Sequence, residues 1–150
     1  MRLYVPATLD ETGPGRGPLT PRRAHAVTPE LRAALPDEDE GWEFSAQLAA
    51  ADDALVRLAA DGAAPRLRLV VSADVPDADV DLRPDPDAPP SAVALRSPLP
   101  WDAVVCVHVD EPAAAPDVTA ALAGDSAADE RLGERDLLWY DASEVADIPR

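Results

Sequence analysis

The sequence predicts an α+β fold: a four-stranded, mainly antiparallel sheet with two main helices on one face, in the ferredoxin-like βαββαβ order. Three observations carry this expectation. Residues 40–61 hold an apolar stripe of helical period, residues 66–71 and 103–109 read as strands, and the elements run strand, helix, strand, strand, helix, strand. The chain of 150 residues is expected to form a single domain over 1–150, with flexible loops near 12–21 and 76–91. A domain of this size buries roughly 70% of its unfolded surface and needs no metal or disulfide staple.

The elements follow in order. Arg2 to Val5 alternates, with Leu3 and Val5 on one face and Tyr4 on the other, and Pro6 is expected to stop this strand or place it at an edge. Residues 12–21 are rich in Gly and Pro and show no periodicity. Thr28-Pro29-Glu30 has the chemistry of a helix start: a hydroxyl cap, a proline at the first turn and an acid facing the dipole; Pro36 ends that helix. The four acids Asp37, Glu38, Asp39 and Glu40 then precede the long helix, where negative charge at the helix start is favourable. Phe44, Leu48, Ala51, Leu55 and Leu58 recur at spacings of 4, 3, 4 and 3 and form the expected buried stripe; Gly62 is the stop.

Arg66 to Val71 alternates, with Leu67, Leu69 and Val71 expected inward and Arg66 and Arg68 outward. Residues 76–91 carry five Asp and five Pro, too dense for a strand or helix. A short apolar stretch, Ala92 to Leu95, follows. Ala103 to Val109 is apolar on both faces except at His108, as a central strand would be. Val118 to Ala123 reads as a weak second helix closed by Gly124, Asp136 to Asp141 as a last strand, and Ser143 to Val145 as a terminal turn.

Composition excludes several functions. Against 29 Asp and Glu stand 13 basic residues, all Arg, for a net charge of −16. Nucleic-acid binding draws on clustered basic charge, so this balance argues against a nucleic-acid partner. The N-terminus lacks an apolar leader core, and no run approaches the ~18 apolar residues of a membrane span; the expectation is a cytoplasmic protein with no membrane partner. The single Cys leaves no disulfide framework and no CxxC motif.

Several constellations were weighed for chemistry. Asp77, Asp79 and Asp81 have the spacing that opens a calcium loop, but Leu82 stands where the turn needs Gly and Ala88 where a bidentate Glu belongs. His25 and His108, with Cys106 or a carboxylate, would be the natural metal ligands, yet they lack local ligand spacing, and no metal is assigned. Cys106 and His108 share a strand face and could form a nucleophilic dyad, though an apolar strand favours an inert buried thiol. The glycine-rich run at 13–17 follows no strand-to-helix turn, and Pro14 and Pro18 remove donors a phosphate would use. Arg22, Arg23 and His25 form the densest positive cluster; they either hold an anionic ligand or pair with acids such as those at 37–40. Trp101, Trp139 and Tyr140 either line a pocket or partner surface or belong to the core.

The segments MRLYVPAT, RRAHAVTPELRAALPDEDEGWEF, SADVPDADV, PLPWDAVVCVHVDEP and ERDLLWYDASEV together resemble an actinobacterial family of uncharacterised proteins known only as a domain of unknown function. The resemblance brings no catalytic or binding residue with it. The leading expectation is therefore a small acidic binding or interaction module without catalytic activity, with a protein partner or self-association. The alternative is a small-molecule-binding domain or enzyme with a site near Arg23 and His25. The weak ligand-binding candidates are Arg22, Arg23, His25 and Tyr140; no cofactor is implied.

Overall fold

The computed structural model describes residues 1–38, 40–82 and 85–150. The fold is α+β, but the sheet has seven strands rather than four, and every hydrogen-bonded neighbour is antiparallel. The strands are β1 (Arg2–Ala7), β2 (Arg22–His25), β3 (Leu69–Asp74), β4 (Val80–Asp81), β5 (Ala92–Leu95), β6 (Val104–Val109) and β7 (Leu138–Asp141). Their order across the sheet is β4-β5-β2-β1-β3-β6-β7. The ferredoxin-like arrangement is thus overturned. It failed because β2, β4 and β5 are short and polar or isolated in sequence, and they are strands only by virtue of their neighbours.

A split unit does exist, one strand later than expected. Both β2 and β3 run antiparallel to β1, so they are parallel to each other with β1 between them. The crossover joining them carries helices α1 (Pro29–Ala34) and α2 (Trp42–Ala60). Thr28 caps α1 by accepting from the Leu31 amide, as the sequence implied. Helices α3 (Ala115–Leu122) and α4 (Ser126–Glu134) link β6 to β7; α4 had no counterpart in the sequence reading. Gly124, between them, takes φ +93, a conformation that suits glycine alone.

The two faces of the sheet are covered differently. On one, Leu3, Val5, Leu69, Val71, Val93, Val107 and Val109 pack under Leu9, Leu19 and Leu99 of connecting segments and Val145 and Ile148 of the segment after β7. On the other, α2 lies across Tyr4 and Val70 with Ala46, Ala50 and Ala51. Leu58, at its far end, meets Val118 and Leu132 of α3 and α4. The expected inward stripe of α2 is therefore corrected: Ala46, Ala50, Ala51, Ala54 and Leu58 are buried, whereas Phe44 and Leu48 stay 55% and 42% exposed. Alanines seat the helix closer to the sheet than Phe or Leu would allow, and the bulky residues turn to one side.

Other departures have local causes. Pro6 does not end β1; it pairs in register with Val70, and its carbonyl accepts from Arg22 Nη1 at 3.0 Å. Residues 76–91, expected to hold no strand or helix, contain a 3-10 turn at Asp77–Asp79 leading into β4, and in the first loop Leu19 bridges Leu99. Asp39, Arg83 and Pro84, within the acidic run and the second loop, lie outside the described residues. Arg68, expected at the surface, is buried. Its Nε and Nη2 meet the two oxygens of Asp110 at 2.9 and 2.8 Å, and the Asp110 carboxylate also accepts from the Arg68 amide.

This pair fastens the entry of β3 to the exit of β6. Removing one partner strands the other charge in the interior, and such losses run to about 3–5 kcal/mol, whereas an apolar pair of matching shape is nearly neutral. Urea unfolding is expected to show Asp110→Ala strongly destabilised and Arg68→Met/Asp110→Leu largely recovered. A double variant as unstable as the single would show that specific ion pairing, not charge stranding, sets the cost.

Candidate functional site

Strand β2 alternates: Ala24 points into the loop-covered core, and Arg23 and His25 point toward α2. There they meet Asp53, on the side of α2 beside its alanine seat. The Arg23 guanidinium lies 2.9 Å from Asp53 Oδ2, and His25 Nε2 lies 2.8 Å from the same oxygen. The other ring nitrogen, Nδ1, lies 2.8 Å from Ser91 Oγ. A carboxylate only accepts, so His25 Nε2 carries the proton and donates to Asp53; in the neutral ring Nδ1 then accepts from Ser91. Burial alone would raise the Asp53 carboxyl, but the hydrogen bond and charge of His25, with the charge of Arg23, hold it below its ordinary range.

Serine, histidine and aspartate in hydrogen-bonded sequence have the members of a nucleophilic relay. The geometry denies that role. Ser91 and His25 are 2% and 0% exposed, so no substrate reaches the hydroxyl. The chain of bonds instead ties β2, α2 and the turn before β5 into one unit.

Arg22, the neighbour of Arg23, is committed elsewhere. It lies 2.6 Å from Glu11 Oε2, and it also donates to the Pro6 and Thr20 carbonyls. Arg57, one turn beyond Asp53 on α2, approaches the other Glu11 oxygen at 3.8 Å. Burial would raise Glu11, yet Arg22, the Thr8 amide and Arg57 together lower it. Among the described residues Glu11 and Asp53 take these arginines, rather than Asp37, Glu38 or Glu40 of the expected acidic run. Two open depressions meet at Arg57. The smaller, of about 190 Å³, is walled by Pro6, Arg22, Arg23, Asp53, Val56 and Arg57. The larger, of about 460 Å³, adds Thr8, Asp10, Glu11, Ala60 and Asp61 around the same arginine.

Of the four sequence candidates, Arg23 and His25 meet at Asp53, Arg22 joins Arg23 only in the wall of the smaller depression, and Tyr140 lies apart. Tyr140 pairs with Val107 on β7 and packs against the loop-covered core, on the opposite face and beyond β3 and β6. Glu11, Asp53, Arg57 and Ser91 were missed. Asp53 and Arg57 had a signal, an i, i+4 acid–base pair on one side of the long helix; Glu11 and Ser91 had none. The calcium-like aspartates are otherwise engaged: Asp81 pairs with Arg96, Asp79 accepts from Ser97, and Asp77 lies 3.4 Å from the N-terminal amine. Among the described residues no three His, Cys, Asp or Glu gather as a metal site requires. Cys106 Sγ does lie 3.5 Å from His108 Nε2, and burial lowers the His108 pKa. No helix among the described residues is long and apolar enough to cross a membrane.

The model of DUF6912, a family of unknown function, matches residues 1–148, and the chain belongs to that family. No curated protein and no solved structure matches it.

Asp53→Ala would leave the His25 Nε2 proton and Arg23 without their acceptor. A loss of about 1–3 kcal/mol is expected at neutral pH in urea unfolding. The folded-state pKa values of Asp53 and Glu11 are depressed, so their contribution is complete above the ordinary carboxylate range and disappears as the pH falls through the lower folded values. Wild-type stability should accordingly decline below about pH 4, and the gap to Asp53→Ala should close over the same window. A gap that stays constant across that window would contradict the assignment.

Proposed function

We propose that this member of the DUF6912 family is a protein-interaction module that docks a basic, apolar segment of a partner protein on the flank of α2 facing β6 and β7. One observation carries the reading: Phe44, Leu48 and Trp139, the bulkiest apolar side chains of that flank, are 55%, 42% and 59% exposed. Scattered exposed apolar residues are ordinary, but a contiguous group marks a contact surface.

Contiguity follows from the geometry. Asp53 places one side of α2 over β2, and Leu55 packs with the α3–α4 cluster on the other. Leu48 and Phe44 share the Leu55 side at helical spacing, so they face away from β2, toward β6. In the sheet beneath, Val70, His108 and Trp139 are register partners on β3, β6 and β7, and directly paired residues share a face. Val70 lies under α2. The row therefore steps out from beneath the helix to Trp139 on the last strand, whose outer edge pairs with no other strand among the described residues.

The rim sets the chemistry of the partner. Asp52, one turn after Leu48, is shifted upward by burial first and then by Asp129 of α4, against weaker pulls from Arg68 and His25. Asp136 and Asp141 flank Trp139 in sequence. An apolar surface edged by acids, on a chain of net charge −16, complements a segment in which Arg or Lys flanks apolar side chains. A second copy of the chain would bring the same excess of negative charge to the contact, which favours a different protein as the occupant.

A lysine-rich amphipathic peptide and a scramble of identical composition provide the test. In an NMR titration at physiological salt, the amphipathic peptide is expected to shift amides within 44–55 and 138–141, with the scramble far weaker. Leu48→Asp should weaken binding about tenfold, a loss near 1.4 kcal/mol. Equal binding of both peptides, or indifference to Leu48→Asp, would defeat the proposal. A dimer in sedimentation that Leu48→Asp dissolves would give the surface to a second copy instead.

A further inference from the structure

The flank of α2 opposite that surface carries three guanidiniums against two carboxylates. Glu11 serves both Arg22, at 2.6 Å, and Arg57, at 3.8 Å, while Asp53 serves Arg23 and His25. Arg57 is the loosely held member: its Nε is buried, and among the described residues it has no hydrogen-bond partner. The side chain as a whole is not enclosed: it is 34% exposed, and its one ion contact among the described residues is the long one to Glu11. The same residue walls both depressions on this flank.

We propose that the smaller depression, bounded by Arg22, Arg23, Arg57, Asp53, Val56 and Pro6, binds a small oxyanion, a carboxylate or phosphoryl group. Its walls hold three arginines and a single acid, whereas the larger depression sets Arg57 alone against Asp10, Glu11 and Asp61 and so repels an anion. A volume of about 190 Å³ is room for about six waters, enough for an oxyanion with a few attached atoms. The guanidinium fork offers parallel N–H donors to such a group. Val56, 67% exposed at the lip, supplies an apolar contact for the body of the ligand. Arg22 is already held by Glu11 and two backbone carbonyls, so it acts as a fixed positive wall, and Arg57 is the residue with bonding capacity to spare.

The probes are inorganic phosphate and malonate, each titrated at constant ionic strength against sodium chloride. The constant ionic strength matters because salt alone relieves the self-repulsion of so acidic a chain. The readout is the Arg57 Hε resonance. It is expected to move saturably in the millimolar range with at least one probe and not with chloride; the stronger probe identifies the ligand as phosphoryl or carboxylate. Arg57→Leu should abolish binding. Val56→Asp, which adds a negative charge at an exposed lip and leaves the core untouched, should weaken it at least tenfold. A non-saturating response equal to that of chloride, or unchanged binding in Val56→Asp, would overturn the proposal. Leu48→Asp, on the other flank, should leave anion binding unaltered, which separates this site from the protein-docking surface.

Discussion

The alanine seat of α2 is the constraint on which the rest of the architecture depends. Ala46, Ala50 and Ala51 over Tyr4 and Val70 bring helix and sheet together, with no long side chain on the helix side of the contact. A smooth seat of methyl groups gives burial but little to fix the helix along its axis or about it. That role falls to the flanks: the polar contacts of Asp53 with His25 and Arg23 on one side, and the apolar packing of Leu55 and Leu58 against α3 and α4 on the other. The same seat leaves Phe44, Leu48, Asp53 and Arg57 to the flanks, which is why both candidate surfaces border one helix.

The sheet joins those surfaces. Pro6, Val70, His108 and Trp139 occupy one register row across β1, β3, β6 and β7. The row begins at the wall of the arginine-lined depression, passes under α2 and ends at the exposed indole. The two flanks differ sharply in charge: a local excess of guanidinium at one end of the row, and unneutralised carboxylates at the other. A chain this acidic has little positive charge to spare, and most of its described arginines are spent on specific acids; Arg68 is spent wholly inside, on Asp110.

Elements whose signals are local could be read from the sequence. Thr28-Pro29 fixed the start of α1, the long helix was expected over 40–61 and runs from Trp42 to Ala60, and the strands of 103–109 and 136–141 appear as β6 and β7. Helix α3 also ends before Gly124 as its glycine implied. Elements defined by distant partners could not be read. Arg22-Arg23-Ala24-His25 is polar and short, and it is a strand because β1 and β5 bracket it. The inward face of α2 was misread because hydrophobicity favours Phe and Leu, while close packing on a sheet favours Ala. At the site, the cluster of Arg22, Arg23 and His25 was visible as a run of residues. Its partners, separated from it by 11 to 66 residues along the chain, were not.

The sheet's two borders differ. Strand β4 has only two residues, and the Arg96–Asp81 ion pair lies across it, so it offers little backbone to a stranger. Strand β7 presents four residues with no strand beyond them among the described residues, and one of the four carries the exposed indole. Open strands of this kind template further pairing unless something keeps other chains away. Here the guard is the net negative charge, which acts over a Debye length and vanishes when carboxylates are protonated or salt is high. Aggregation, when it comes, should therefore begin at β7 in acid or brine while the core is still intact, making colloidal failure and unfolding separate events for this molecule.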